Sequence, residues 1–357
     1  MKTRAFLASL ALLFLAGCGG TAPAVSPSSA PASPAASKPA AASSSAAPAT
    51  SAKPAASGLV PLKGSYITTS PTGAPLWLAR ERGIFNKNGL DVSLTSVVAT
   101  AAMPALMSND TQLASSGAAE VANADLQGGN VVMIAEGAAM PIFSLYADKK
   151  YKSVPDLAGQ TIGVTSIGAA SDTAAHLFLR KFGMEEKIKI TAAGGSSGTI
   201  LAAMTQGLIG GGMLIPPVTA QAEQAGFVEL VNGVKLGVPL TQGSLVVTRT
   251  LAKDRGDIRD RLLKSYLEAW TYLSNPANKA DAIKVFEQYT KTDAKDSETA
   301  YNFMLPLWQS QKVPYMTDEA IANVLSFLAE PRAKSADPKQ FYDNSYLQAV
   351  AKGMGAG

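Results

Sequence analysis

Four short segments of this chain, rich in glycine, serine and threonine, are the best candidates for binding a ligand. They are residues 70–73, 115–117, 166–171 and 194–198, and each follows a predicted strand and leads into a predicted helix. Such a junction presents backbone N–H groups and the positive end of a helix dipole. Small hydroxyl side chains add donors without blocking access. The pattern predicts a site that binds a small ligand largely through uncharged donors.

Residues that could catalyse a reaction are scarce. His176 is the sole histidine, and no nucleophile or metal-ligand partner is visible for it, so we predict a solvent-facing or packing role. Asp172 is predicted to be the N-cap of the helix that contains His176. Glu120 lies in the first turn of another predicted helix, and in a cleft it would repel an anion and attract an amino or amidine group. Arg249 is expected either to bind an anionic ligand or to form a structural ion pair.

The elements that must position these loops alternate between strands and helices. Apolar runs and period-two patterns predict strands at residues 64–69, 90–98, 112–114, 131–135, 160–164, 189–192, 212–215, 227–231 and 243–248. Helices are predicted between most of the strands and from residue 255 onward, with core positions at Trp77, Trp270 and Trp308. This alternation predicts an α/β fold with parallel strands. In such sheets, ligands bind beyond the carboxyl ends of the strands.

The N-terminus has the features of an export signal. Lys2 and Arg4 precede a largely apolar run over residues 6–16, which is too short to span a bilayer, where ~20 residues are needed. The run ends in Leu-Ala-Gly-Cys at residues 15–18, which resembles the lipobox of bacterial lipoproteins. The resemblance predicts that Cys18 is acylated. The alternative is an ordinary signal peptide with an incidental cysteine.

Composition excludes several classes of protein. A single cysteine cannot form an intramolecular disulfide or a CxxC-type metal or redox site. Residues 18–57 are rich in Ala, Pro and Ser, which predicts a disordered tether. The formal net charge is +4 and no basic run stands out, so a nucleic-acid partner is not expected. The remaining residues are numerous enough for two lobes or one large domain.

Two segments give the body of the chain a specific resemblance. Residues 74–92, APLWLARERGIFNKNGLDV, resemble the first-lobe opening of solute-binding proteins from nitrate, sulfonate, taurine and bicarbonate ABC importers. Residues 154–164, VPDLAGQTIGV, are similar to the opening of the second lobe in the same family, and Gln206–Gly207 and Pro216–Pro217 also fit its pattern. The resemblance covers residues 62–330 in order. The same fold group contains pyrimidine-precursor binding proteins and a thiamine-pathway pyrimidine synthase.

This resemblance implies a type II periplasmic-binding-protein fold, in which two α/β lobes joined by two crossing segments close on a ligand. The signal peptide is expected at residues 1–17 and the tether at 18–57. The first lobe is expected at residues 58–146 and 249–357, and the second at 147–248, with crossings near 145–149 and 246–250. The residues expected to bind the ligand are Ser70, Thr72, Gly73, Ser116, Gly117, Glu120, Ser166, Ala169, Ser196, Gly198 and Pro216.

The resemblance further implies a monomeric, extracytoplasmic protein that is not an enzyme and delivers a small molecule to an ABC permease. The lipid on Cys18 is expected to be its sole attachment to the membrane, and no cofactor or metal is expected. Two other functions stay open. One is an enzyme like the pyrimidine synthase, although the body of this chain lacks cysteine. The other is a sensor lipoprotein that presents its ligand to a receptor.

The ligand class also stays open. Loops rich in neutral donors favour an oxyanion such as a sulfonate or nitrate, but they suit an uncharged or pyrimidine-like ligand equally well. Tyr66 and Tyr146, near predicted strand ends, are candidates for stacking on a planar ligand. Residues 108–112 and 208–212 depart from the family pattern close to the expected cleft. The ligand of any family member therefore cannot be carried over to this chain.

Overall fold

A computed structural model describes residues 58–67 and 70–356. The predicted signal peptide and tether, including Cys18, lie outside the described residues. Within the described part, the strands form two five-stranded sheets, and helices pack on both. Each sheet with its helices is an α/β lobe, so the predicted two-lobed fold class is confirmed.

The chain builds most of the first sheet, then the second, and then returns to the first. The first run comprises β1 (Val60–Ile67), α1 (Ala74–Glu81), α2 (Ile84–Lys87), β2 (Leu90–Val97), α3 (Ala99–Met107), β3 (Leu113–Ser116), α4 (Ala118–Leu126) and β4 (Val131–Ala135). The middle run comprises β5 (Ser144–Asp148), β6 (Thr161–Val164), α5 (Ala170–Lys181), β7 (Lys189–Ala192), α6 (Ser197–Thr205), β8 (Gly211–Leu214), α7 (Val218–Gln224), β9 (Phe227–Asn232) and α8 (Gly233–Leu236). The last run comprises β10 (Ser244–Thr248), α9 (Arg249–Asp254), α10 (Gly256–Ser274), α11 (Lys279–Thr290), α12 (Ala294–Ser310), α13 (Asp318–Phe327) and α14 (Asn344–Gly353).

Both sheets contain one strand that runs against its neighbours. The strand orders are β2-β1-β3-β10-β4 in the first sheet and β7-β6-β8-β5-β9 in the second. Strand β1 is parallel to β2 and β3, and β6 is parallel to β7 and β8. By contrast, β10 is antiparallel to β3 and β4, and β5 is antiparallel to β8 and β9. The prediction of parallel strands is therefore wrong for β10, and β5 is a strand that the sequence pattern did not predict. These two are the first strands after the chain changes lobes.

The chain changes lobes at residues 136–143 and 233–243, which we call the crossing segments. Strand β5 already pairs in the second sheet and β10 in the first, so the crossings precede these strands. The expected positions near residues 145–149 and 246–250 fall largely inside the strands. The crossing segments also pair with each other, because Ala138 N–H donates to the Gln242 carbonyl over 2.7 Å and the Gln242 N–H donates back over 2.9 Å. We propose that the lobe boundaries lie in these segments.

Large aromatic side chains fill the cores of both lobes. The tryptophans predicted to be core residues are all buried: Trp77, Trp270 and Trp308. Trp77 stacks on Tyr289 with ring centroids 5.1 Å apart and packs edge-on against Tyr66 at 5.4 Å. In the second lobe, the buried Tyr146 donates its hydroxyl to Glu223 over 2.8 Å. Tyr66 and Tyr146 are therefore core residues and not the ligand-stacking residues that we predicted.

Candidate functional site

A cavity lies between the two lobes, beyond the carboxyl ends of strands from both sheets. Its walls come from the loops after β1, β3, β6, β7 and β8 and from both crossing segments. The lining residues are Ile67, Ser70, Thr72, Ala99, Gly117, Glu120, Ile142, Phe143, Thr165, Ala170, Ser171, Gly195, Ser196, Ser197, Ile215, Gln242 and Gly243. The cavity volume is about 40 Å³, on a measure by which one water needs ~10–15 Å³. A space of this size would hold about three water molecules, so it suits a ligand of only a few heavy atoms.

The structure brings part of the predicted site to this cavity. The predicted residues that line it are Ser70, Thr72, Gly117, Glu120 and Ser196. The predicted residues outside its lining are Gly73, Ser116, Ser166, Ala169, Gly198 and Pro216. All of the predicted loops reach the cavity, but in several of them a neighbouring residue faces it instead. Thr165, Ala170 and Ser171, for example, take the places expected for Ser166 and Ala169.

Four lining residues that sequence reasoning missed lie outside every predicted loop, in the crossing segments. Ile142 and Phe143 from the first segment and Gln242 and Gly243 from the second line the cavity. The side-chain oxygen of Gln242 accepts the N–H of Ile142 over 2.8 Å, whereas its Nε2 has no partner among the described residues. A correct prediction of the crossings, before β5 and β10, would have located these four residues in the cleft. No sequence motif marks them.

Glu120 is the charged residue of the cavity, and it also connects the lobes. It lies in the first turn of α4 and is 9% exposed. Its Oε1 accepts the backbone N–H of Ala170, at the start of α5 in the other lobe, over 3.1 Å. Its Oε2 has no hydrogen-bond partner among the described residues. Burial raises the pKa of the Glu120 carboxyl above its ordinary value, and the backbone hydrogen bonds oppose this effect.

The glycine at position 117 is explained by the carboxylate of Glu120. A Cβ on Gly117 would lie 2.5 Å from Glu120 Oε2 and 3.1 Å from the Cβ of Ala170. Both distances are too short for an undisturbed carbon contact. Glycine at this position therefore lets the carboxylate lie against the backbone between the lobes.

Protein groups already occupy several donors at the start of α5. The helix begins at Ala170, so Ala169 is its N-cap and the prediction that Asp172 is the N-cap is wrong. Asp172 lies in the first turn instead, where its Oδ2 accepts the N–H of Gly168 over 2.8 Å. The hydroxyl of Ser171 accepts the N–H of Thr165 over 3.0 Å. These bonds fix the loop that faces the cavity.

The remaining titratable candidates have structural roles. His176 Nδ1 lies 3.0 Å from Glu185 Oε1 on the surface of α5, away from the cavity. Arg249 Nη2 donates to Asp125 Oδ1 over 3.1 Å, which is the structural ion pair that was one of its two predicted roles. Within residues 58–67 and 70–356, no cluster of His, Cys, Asp or Glu is arranged to hold a metal ion. None of the helices in that part is long and apolar enough to cross a membrane.

The fold is shared with solved structures of binding proteins. The ligand-binding component of an ABC-type import system from Staphylococcus aureus, with zinc bound, superposes with a TM-score of 0.70 at 13% identity, covering 82% of this chain and 99% of that one. The periplasmic nitrate-binding protein NrtA from Synechocystis PCC 6803 gives 0.68 at 13% identity, with coverages of 84% and 90%. The alkanesulfonate-binding protein SsuA from Xanthomonas axonopodis pv. citri, bound to MOPS, gives 0.67 at 17% identity, with coverages of 82% and 99%.

Sequence comparison gives the family. No curated protein matches the chain by sequence. The profile of the NMT1/THI5-like family matches residues 70–280, which is more than half of the chain. The three solved structures above are named as binding proteins, and at 13–17% identity they show a shared fold. The chain belongs to the NMT1/THI5-like family.

Proposed function

We propose that this protein is the solute-binding component of an ABC importer and holds a small molecule in the cavity between its lobes. The observation that carries the proposal is that both lobes and both crossing segments line one cavity. A ligand there contacts both lobes at once, so its binding favours the closed form over the open one. A permease could then distinguish the loaded protein from the empty one by its shape. The similar structures named for nitrate and alkanesulfonate binding support this role.

We also propose that the protein is an extracytoplasmic monomer anchored by lipid on Cys18. The support is the lipobox-like sequence at residues 15–18 and the Ala/Pro/Ser-rich segment that follows it. The anchor is tested by labelling cells with a radioactive or alkyne-tagged fatty acid. The wild-type chain is expected to carry the label and to sediment with membranes, and Cys18→Ser is expected to lose both properties. Labelled Cys18→Ser would contradict the anchor.

Ligand binding is tested by a thermal-shift screen of the mature Cys18→Ser chain. The screen covers nitrate, sulfonates, carboxylates, pyrimidines and small amines, because the sequence leaves both an oxyanion and a pyrimidine-like ligand open. A ligand at a hundred times its dissociation constant is expected to stabilise the fold by about 2.7 kcal/mol. Compounds that shift the melting temperature are then measured with two variants.

The two variants establish where a hit binds. Ala99→Leu adds volume at a buried position in the cavity wall and is expected to abolish the shift. Leu208→Ala alters an exposed residue outside the cavity and is expected to retain it. Circular dichroism checks that both variants fold. A flat screen of folded wild-type protein, or a hit that Ala99→Leu does not weaken, would contradict the proposed function.

A further inference from the structure

We propose that the cavity between the lobes selects a small amine or amidine, whose N–H groups bind Glu120, and excludes simple oxyanions. This inference rests on the proposed function, because it takes the cavity as the site of the solute. It narrows the ligand to one chemical class, which differs from the oxyanion that the neutral loops favoured. Three independent features of the cavity support it.

The first feature is the sign of the charge. Glu120 is the single ionisable side chain among the described residues that line the cavity, and no lysine, arginine or histidine accompanies it there. At 9% exposure, its carboxylate is poorly screened by water. An oxyanion in the same small space would meet a like charge, whereas a cationic N–H group would offset the charge. Burial raises the pKa of the Glu120 carboxyl, and a cationic N–H group beside it would oppose that effect.

The second feature is that protein carboxylates already occupy backbone donors at the N-terminus of α5, one of the helix N-termini beside the cavity. At the start of α5, the N–H of Ala170 is already bound by Glu120, and the N–H of Gly168 is bound by Asp172. The Glu120 carboxylate therefore stands where an oxyanion in the cavity would accept the hydrogen bond of Ala170. An incoming anion would have to displace this carboxylate and would meet its charge as well. The loop thus resembles an anion site in sequence but not in its hydrogen bonding.

The third feature is a pair of buried polar atoms without partners. Oε2 of Glu120 and Nε2 of Gln242 both have no hydrogen-bond partner among the described residues, and both side chains line this cavity. Gln242 is only 2% exposed. Oε2 accepts, so an N–H group of an amine or amidine would satisfy it directly. Nε2 donates, so it would need an acceptor elsewhere on the solute, which acetamidinium lacks; that probe therefore tests the Glu120 contact alone. The apolar walls formed by Ile142, Phe143 and Ile215 suit a short hydrocarbon body between these groups.

A purely structural role for Glu120 must be separated from ligand recognition. Because its Oε1 binds Ala170 across the cleft, loss of the carboxylate could weaken closure and so reduce binding of every ligand. That effect would lower the affinities for a cation and for an anion by a similar factor. Recognition of an N–H group would change the ratio between the two affinities. The ratio is therefore the quantity to measure.

The experiment uses acetamidinium and acetate, which have the same number of heavy atoms and similar planar shapes but opposite charges. Isothermal titration measures both probes, together with nitrate and methanesulfonate, on the mature Cys18→Ser chain. The same titrations are made after adding Glu120→Gln, or Glu185→Gln as a control on the outer face of the second lobe. We expect acetamidinium to bind at least ten times more tightly than acetate. The ratio should fall at least fivefold in Glu120→Gln and stay unchanged in Glu185→Gln.

Two results would overturn the inference. Tighter binding of acetate, nitrate or methanesulfonate than of acetamidinium would show an oxyanion site and would leave the proposed solute-binding function intact. If Glu120→Gln leaves the ratio of the two affinities unchanged, Glu120 is not the recognition group. The same conclusion holds if no probe binds the wild-type protein. The proposed function itself would fail if the wider thermal-shift screen were also flat, or if its hits were unaffected by Ala99→Leu.

Discussion

The side-chain amide of Gln221 in α7 donates to Asp296 Oδ2 in α12 over 3.0 Å, and this hydrogen bond joins the two lobes. A second bond joins them through α4, where Asn123 Nδ2 donates to the carbonyl of Gly168 over 2.9 Å. The lobes must be close together for either bond to form. Both bonds therefore stabilise the closed arrangement in the absence of a ligand.

We expect Gln221→Ala to shift the equilibrium toward the open form. Loss of one such hydrogen bond costs about 1 kcal/mol, which weakens the apparent affinity for a ligand that binds the closed form by at most roughly fivefold. Small-angle X-ray scattering should show a larger radius of gyration in the ligand-free variant. Gln340→Ala is the matched control, because Gln340 bonds Asp125 over 2.9 Å within the first lobe. An equal expansion in both variants would refute the role of Gln221.

A pair of glycine substitutions tests the packing of the Glu120 carboxylate. Gly117→Ala places a Cβ 2.5 Å from Glu120 Oε2, so the carboxylate must move away from α5. We expect a loss of about 1–3 kcal/mol in the free energy of unfolding. Gly198→Ala in α6 meets nothing closer than 3.8 Å and is expected to stabilise the helix by roughly 0.5–1 kcal/mol. Urea denaturation measures both changes, and equal effects of the two substitutions would contradict this account.

The buried Glu136 is expected to make the stability depend on pH. Its carboxyl accepts the hydroxyl of Thr241 over 2.7 Å and the N–H of Gly137 over 2.9 Å, and it is 1% exposed. Burial raises the pKa of Glu136 from 4.5 to about 8. Between these values the unfolded chain has released a proton that the folded chain keeps. The contribution of Glu136 to the free energy of unfolding therefore falls as pH rises through this window.

Glu136→Gln is expected to make the free energy of unfolding fall less steeply with pH, because the amide cannot ionise. Urea unfolding at pH 5, 6, 7 and 8 measures this slope. Tyr266, whose hydroxyl donates to the backbone carbonyl of Glu136 over 3.0 Å, has a raised pKa and stays neutral throughout the range. Glu330→Gln is the control, since the hydrogen bond with Arg332 lowers the pKa of Glu330, so that its contribution has the opposite sign and is lost on the acidic side of this window. An unchanged slope in Glu136→Gln would contradict the prediction.

The aromatic cluster around Trp77 is expected to dominate the stability of the first lobe. Trp77 is fully buried, stacks on Tyr289 and meets Phe286 edge-on at 5.6 Å. Trp77→Ala is expected to cost about 3–5 kcal/mol, because it leaves a large void. Trp77→Phe keeps an aromatic ring and should cost clearly less. Chemical denaturation measures the free energy of unfolding of both variants. Equal losses in Trp77→Ala and Trp77→Phe would contradict the role of the aromatic cluster.

The sequence predicts the positions of strands and loops along the chain better than the direction of the strands and the course of the crossing segments. Local patterns mark every described strand except β5, and they mark the loops after β1, β3, β6 and β7, because apolar periodicity and glycine-rich turns depend on nearby residues. The apolar run at residues 244–248 looks like any buried strand. Its reversed direction depends on β3 and β4, which are more than a hundred residues earlier in the chain. Gln242 and Phe143 lie in segments without periodicity, so only the three-dimensional crossing brings them to the cavity.

The position of β10 also sets an order for folding during synthesis. Strand β4 is joined to the rest of the first sheet through β10, and β10 emerges only after every strand of the second sheet has been made. The second lobe is continuous in the chain, so it can fold on a nascent polypeptide while β4 still lacks its neighbour. A chain that stops before residue 244 would therefore carry a complete second lobe and an unfinished first one. The lobe that begins the protein is the last to be completed.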